Sequence, residues 1–268
     1  MLVIGLILAV LALVAGWCYL HRGYRQRLEA TVARTADQIN VKSKLFDSTL
    51  TTPRESFEDY IVVLPNLLPV ELQSEVSDSL DRDVSSNPTV QRSYIPLHKA
   101  GGTLSYADLF EFAPIAVALY QSTLMKELVS SVVGEAVTTT PLWDQSSCSL
   151  LCYTQPGDRI GWHYDYNFYR GRHFTVLYVI DNLGPNGLSS ATLQTRSGGQ
   201  VKAVPTPKNS LVVFEGSQVF HRVTPLADSE RRLILSMTYT TDPSNSLVQG
   251  VLRRFKDVAY YGASALWT

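Results

Sequence analysis

Between residues 146 and 241 the chain is a succession of short β-branched and aromatic runs cut by turn signals. No other feature limits its fold as strongly. Turns are marked by Pro156-Gly157, residues 182–187, Ser197-Gly198-Gly199 and residues 205–209. Glycine and proline punctuate at these points because one supplies positive φ and the other fixes it. The runs between them, residues 172–180, 210–214 and 231–239 among them, read as strands. The flanks read as helices. Leu68-Pro69 opens one, with Val70, Leu72, Val76 and Leu80 on its apolar side, and residues 107–133 form another, interrupted at Pro114. Residues 81–103 read as a loop, with Gly101-Gly102 as a breaker, and Ile61-Val62-Val63-Leu64 as a further strand.

Within the strand-rich core stands Gly161-Trp162-His163-Tyr164-Asp165. On an extended chain, residues i and i+2 share a face, so His163 and Asp165 leave it side by side. They can supply two of three ligands to a metal. The third would be His221, which opens a later strand in Phe220-His221-Arg222-Val223. Two histidines and one carboxylate on one side of a metal form the ligand set of non-haem Fe(II) oxygenases.

From about residue 61 to residue 242 the chain resembles the prolyl-4-hydroxylase-type Fe(II)/2-oxoglutarate-dependent dioxygenases. The matching residues are Tyr153, His163, Asp165, the Arg172…Thr175 strand, the Phe214…His221-Arg222-Val223-Thr224-Pro225 turn and Arg232. The resemblance implies a double-stranded β-helix, a jelly roll, mostly β with flanking helices. It implies Fe(II) on His163, Asp165 and His221, 2-oxoglutarate as co-substrate and ascorbate as reductant. Arg232 would hold the far carboxylate of 2-oxoglutarate. Tyr153 would hydrogen-bond the co-substrate, and Thr175, Leu177 and Val179 would line its pocket. Arg231 lies next to Arg232 and must face the other way on a strand. The implied reaction hydroxylates a C–H bond while 2-oxoglutarate is decarboxylated to succinate. Related enzymes that halogenate lack the carboxylate of Asp165, so its presence favours hydroxylation. The other reading is a non-catalytic, membrane-anchored jelly-roll binding protein. The resemblance points to a peptidyl substrate such as proline, while a membrane anchor equally suits a hydrophobic small molecule.

Residues 1–20 carry no charged side chain and are long enough as a helix to span a bilayer. No Lys or Arg precedes the run and it ends in Trp17, Cys18, Tyr19 and Leu20, so it reads as an uncleaved anchor rather than a signal peptide. Arg22, Arg25, Arg27 and Arg34 follow it, which predicts a cytosolic catalytic domain. The expected organisation is therefore an anchor (1–20), a juxtamembrane segment and linker (21–58), the dioxygenase domain (59–243) and a C-terminal helix (244–268). That helix would start at Asp242-Pro243 and pack on the barrel through Leu247, Val248, Val251, Leu252, Phe255, Val258 and Ala259.

A net charge of −1 gives no electrostatic case for nucleic acid. Cys148 and Cys152 share a face but lie too far apart along a strand for a bridge, and read as reduced core residues. His21, His98 and His173 read as surface or structural residues, Trp162 as packing, and Asp181 and Asn182 as a turn.

Overall fold

The computed structural model describes residues 2–45, 60–86, 91–95, 98–141 and 144–262; the side chains of 2–15, 17–21, 43–45, 83–86, 91 and 93–95 lie outside the described residues. Helix α1 spans Leu2–Leu45, followed by strand β1 (Ile61–Leu64), helix α2 (Val70–Ser86) and the hairpin of β2 (Gln91–Ile95) and β3 (Lys99–Leu104). Three short helices come next, α3 (Tyr106–Phe112), α4 (Pro114–Gln121) and α5 (Thr123–Val133). The remaining strands are β4 (Thr138–Thr139), β5 (Cys148–Tyr153), β6 (Arg159–His163), β7 (His173–Leu183), β8 (Leu193–Ser197), β9 (Gln200–Val204), β10 (Leu211–Glu215), β11 (Phe220–Val223) and β12 (Arg231–Thr240). Helix α6 (Leu247–Tyr261) closes the described chain.

The strands pair in the order β1-β10-β7-β12-β5-β3-β6-β11-β8-β9, with β2 on β3 and β4 on β12. They form one antiparallel sheet curled into a nearly closed barrel with helices against it, as a jelly roll requires. Strand alternation splits the core in two. Leu233, Leu235, Met237 and Tyr239 of β12 join Cys148, Leu150, Phe174, Val176 and Tyr178 against α2, α4 and α5. Ile234 joins Tyr153, Leu177, Val179, Val212 and Phe214 inside the barrel. Strands β5, β7, β10 and β12 are thus buried on both faces, which explains their near-continuous apolar runs. Cys148 and Cys152 are free and buried.

Several expectations change. The expected loop over 81–103 is mostly regular structure: 81–86 continue α2, 91–95 form β2, and Gly101 and Gly102 sit inside β3, which pairs with β2 on one side and with β5 and β6 on the other. Pairing on both edges outweighs the local break signal of two glycines. Asp181 and Asn182 lie within β7, and the Asn182 amide donates to the Thr206 carbonyl at 2.8 Å. Residues 242–244 are not the start of α6. They bond to Arg170 and Gly171 instead, and the helix is capped four residues later by a reciprocal box between Ser246 and Gln249.

Helix α6 is also turned over relative to expectation. Leu247, Val248, Val251, Leu252 and Phe255 are exposed, whereas Arg253, Asp257 and Tyr261 are buried. Polar contacts set this orientation. Arg253 pairs with Asp257 at 2.9 Å, Lys256 reaches Asp144 at 2.9 Å, and the Tyr260 hydroxyl meets His98 Nε2 at 2.8 Å. Once that face is committed, the apolar stripe has to point outward.

Residues 2–45 are one continuous helix, so no break separates the expected anchor from the segment after it. Val32, Ala36 and Ile39 are buried against the helical layer, and Asn40 accepts from the Leu124 amide at 3.1 Å. The segment therefore does more than space the domain. Among the described residues no helix is long and apolar enough to cross a membrane. The side chains of the 1–20 run, Gly16 apart, lie outside the described residues, as do all of 46–59 in the expected linker and 263–268 at the end.

Candidate active site

The barrel interior opens into a cavity of about 280 Å³, and His163, Asp165 and His221 stand in its wall. His163 ends β6 and His221 lies on β11, and the two are direct antiparallel partners across that pair. Register alone therefore brings residues 58 positions apart to a ring-centre distance of 4.1 Å. Asp165 follows just past the end of β6, where its amide donates to the Gly216 carbonyl at 2.9 Å. A Cβ on Gly216 would lie 2.5 Å from Asp165 Oδ2, so glycine makes the room this carboxylate occupies.

Asp165 Oδ1 lies 3.4 Å from His163 Nε2 and 3.9 Å from His221 Nε2. One ligand atom from each of the three residues falls within 4.8 Å of the others. The far side of each group is already committed. His163 Nδ1 is 2.8 Å from the Gly161 carbonyl and His221 Nδ1 is 2.9 Å from the Val219 carbonyl. A carbonyl can only accept, so both Nδ1 atoms carry a proton, and it is Nε2 of each ring that is turned toward Asp165 Oδ1. Thr175 Oγ1 donates to Asp165 Oδ2 at 2.6 Å, which leaves Oδ1 turned to the two histidines. Such outer contacts are what orients metal ligands. Burial pushes Asp165 up, but the His163 contact, the His221 and His163 charges and the Thr175 bond outweigh it and hold the carboxyl well below its usual range. Burial pulls His221 down, toward the neutral form that binds metal.

Arg232, on β12, is 1% exposed and lines the same cavity. Its Nε and one terminal nitrogen have no hydrogen-bond partner. Its guanidinium carbon lies 5.3 Å from the ring centre of Tyr153, its register partner on β5. Unpaired buried guanidinium donors are costly to leave so, and a carboxylate is their natural complement. Arg231 points the other way, to Asp81 and, at 3.7 Å, to Asp181. Of the expected co-substrate contacts, Arg232, Tyr153 and Thr175 all line the cavity, but the Thr175 hydroxyl proton goes to Asp165.

Several cavity residues escaped the sequence reading. His98 and Lys99 line it from the hairpin that was expected to be a loop, and Lys256, Tyr260 and Tyr261 from the unexpected face of α6. His98 stands edge-on to His163 with ring centres 5.3 Å apart. His173 is buried in the wall with Nδ1 unpaired. Trp162 faces away from the cavity, stacked on Phe220 with Arg196 and Arg222 over its ring. The side chain of His21 lies outside the described residues.

Residues 46–206 match the family model described as halogenase D. No protein of curated function matches the chain. Among solved structures, the prolyl hydroxylase of Trichoplax adhaerens in complex with a hypoxia inducible factor peptide superposes with a TM-score of 0.56 at 16% identity, covering 85% of this chain and 94% of that one. AviO1 from Streptomyces viridochromogenes Tue57 gives 0.56 at 16% identity over 73% of this chain and 98% of its own. The epimerase SnoN in complex with Fe3+, alpha ketoglutarate and nogalamycin RO gives 0.55 at 11% identity, over 76% and 83%. At such identities the likeness is one of fold, and the fold is that of the 2-oxoglutarate/Fe(II) oxygenases.

Proposed function

Because the chain belongs to the halogenase D family and keeps a carboxylate beside its two cavity histidines, we propose that it is an Fe(II)/2-oxoglutarate-dependent dioxygenase that hydroxylates a substrate C–H bond. Asp165 is the observation that carries this reading. Halogenating relatives lack that carboxylate, whereas here Oδ1 shares a 4.8 Å cluster with His163 and His221. Glycine at 216 and the Thr175 hydroxyl both serve its placement.

The residues present fit both groups. His163, Asp165 and His221 would hold the iron, and Arg232, with unpaired buried donors, would take the far carboxylate of 2-oxoglutarate. When bound, iron and co-substrate supply the oxidising power that breaks a C–H bond. The protein's own work is to fix, orient and keep dry. The Gly161 and Val219 carbonyls hold the two Nδ1 protons, so each imidazole presents Nε2. Leu177, Phe214 and Ile234 keep the wall around Arg232 and Asp165 apolar, which strengthens every charge contact inside.

Membrane attachment through residues 1–20, with the domain on the cytosolic side, is the location we assign. The uncharged run and the four arginines after it support this. The substrate would then be a peptide or a hydrophobic small molecule, with no role for nucleic acid.

The test is turnover with Fe(II), 2-oxoglutarate and ascorbate in buffer containing chloride, against a membrane and peptide extract. Succinate should form and the product should gain one oxygen atom. His163→Ala, Asp165→Ala and His221→Ala should each abolish both. A chlorinated product would assign halogenation instead, and wild-type protein that binds no iron and forms no succinate would leave the binding-protein reading.

A further inference from the structure

We propose that Lys99 is the seat of an anionic group on the substrate, which makes that substrate an organic anion. The inference rests on the oxygenase reading in one respect, that Arg232 is taken by 2-oxoglutarate.

Among the described residues three lysine or arginine side chains are buried: Lys99, Arg232 and Arg253. Arg253 has its carboxylate, Asp257, at 2.9 Å. The other two have none among the described residues, and both line the one cavity. A buried charge without a counter-charge is expensive, and an incoming anion would offset that cost. Lys256 shows the contrast. It lines the same wall but is matched by Asp144 at 2.9 Å and Asp257 at 3.1 Å, so its charge is already spent on holding α6.

The surroundings of Lys99 solvate it without neutralising it. An ammonium has three N–H donors. One goes to Thr103 Oγ1 at 2.7 Å, and the nitrogen sits 4.9 Å from the ring centre of Tyr260. Burial lowers its pKa to about 8, which still leaves it mainly protonated at neutral pH. An incoming anion would reinforce that form.

Position separates this seat from the co-substrate's. Lys99 is on β3, opposite Ile160 of β6, the strand that carries His163. Arg232 is on β12, and β5 lies between β12 and β3. Two strand spacings put the two cations' strands about 10 Å apart, so the two side chains enter the cavity from different places in its wall. The cavity therefore has two cationic points, one beyond the ligand cluster on β12 and one beside it on the β3–β6 pair. A substrate gripped at Lys99 would lie along the apolar wall of Ile160, Leu193 and Val223 next to the histidines.

The experiment uses the full chain loaded with Mn(II) and 2-oxoglutarate, which does not turn over. Thermal melting is followed while hexanoate, hexyl phosphate and neutral hexanamide are titrated in. Hexanoate or hexyl phosphate, but not hexanamide, should raise the melting temperature, and whichever is stronger assigns carboxylate or phosphate. Lys99→Met should weaken that binding at least tenfold while leaving the melting shift caused by 2-oxoglutarate unchanged. Lys99→Arg, which keeps the charge, should retain most of it and covers the case in which the methionine variant fails to fold. The proposal falls if neither anion binds better than the amide, if both anions bind Lys99→Met as well as wild type, or if Lys99→Met loses the 2-oxoglutarate shift. Absence of any 2-oxoglutarate shift in the wild type would instead overturn the oxygenase reading, and it reads out separately.

Discussion

Arg231 and Arg232 are neighbours in the chain but stand on opposite faces of the sheet. Arg232 is 1% exposed with two nitrogens unpaired, while the Arg231 side chain is 38% exposed and meets Asp81. Arg232→Gln should therefore raise the 2-oxoglutarate requirement, because a charge-assisted pair is worth about 1.5–3 kcal/mol, or roughly ten- to a hundredfold in affinity. Arg231→Gln should leave that requirement unchanged and cost about 1–3 kcal/mol of stability, because it loses the exposed pair with Asp81 and the cation facing the nearly buried Asp181. Titrating 2-oxoglutarate against both variants checks this, and a larger defect in Arg231→Gln would reverse the assignment. The same scale holds a second prediction. Thr175→Val removes the 2.6 Å bond that turns Asp165 Oδ1 to the histidines. Iron affinity should fall between about ten- and a hundredfold, as outer-contact losses do. Gly216→Ala should do at least as much, since its Cβ would lie 2.5 Å from Asp165 Oδ2. Equilibrium dialysis against iron measures both, and unchanged affinity in Thr175→Val would mean that the carboxylate needs no such support.

At the level of elements, α6 offers the clearest contrast between pattern and packing. Its apolar stripe is exposed and its buried face holds the Arg253–Asp257 pair. Phe255→Ser and Leu247→Ser should then leave the melting temperature nearly unchanged. Arg253→Ala should destabilise by about 1.5–3 kcal/mol, since it removes a charge-assisted bond to the buried Asp257, which keeps Lys256 at 3.1 Å. Thermal melts of the three variants decide, and a large loss in Phe255→Ser would restore the inward-facing stripe. Strands β7, β10 and β12 were legible in the sequence because they are buried on both faces and carry β-branched and aromatic runs between turn residues. His163, Asp165 and His221 were legible because strand alternation and chain order are local or nearly so. Lys99, and His98 in the turn just before it, were not, because what makes residues 99–104 a strand is pairing with β2, β5 and β6, and nothing local overrides Gly101-Gly102. Tyr260 and Lys256 were missed for a related reason. Hydrophobic periodicity measures apolar surface, and α6 is held by ion pairs and hydroxyls.

Over the whole molecule, α1 ties the apolar N-terminal run to the catalytic domain without a joint. The helix is continuous from Leu2 to Leu45, and its second half is part of the fold: Val32 and Ile39 are 1% and 2% exposed, and Asn40 accepts from the Leu124 amide that begins α5. The first twenty residues carry no charged side chain and form the run assigned above to the membrane. Two truncations should therefore behave differently. Removing residues 1–20 should shift the protein from the membrane fraction to the supernatant and leave its melting temperature and succinate formation intact. Removing residues 1–45 uncovers the faces of α4 and α5 on which Val32, Ala36 and Ile39 lie. Burying one Val and one Ile side chain contributes about 1.5–3 kcal/mol each, so this truncation should lose about 3–6 kcal/mol and become prone to aggregation. Fractionation, melting and 2-oxoglutarate turnover on both truncations separate the two roles. If the shorter truncation stays in the membrane pellet, residues 1–20 are not the anchor. If the longer one melts like the full chain, α1 merely lies on the domain and does not support it.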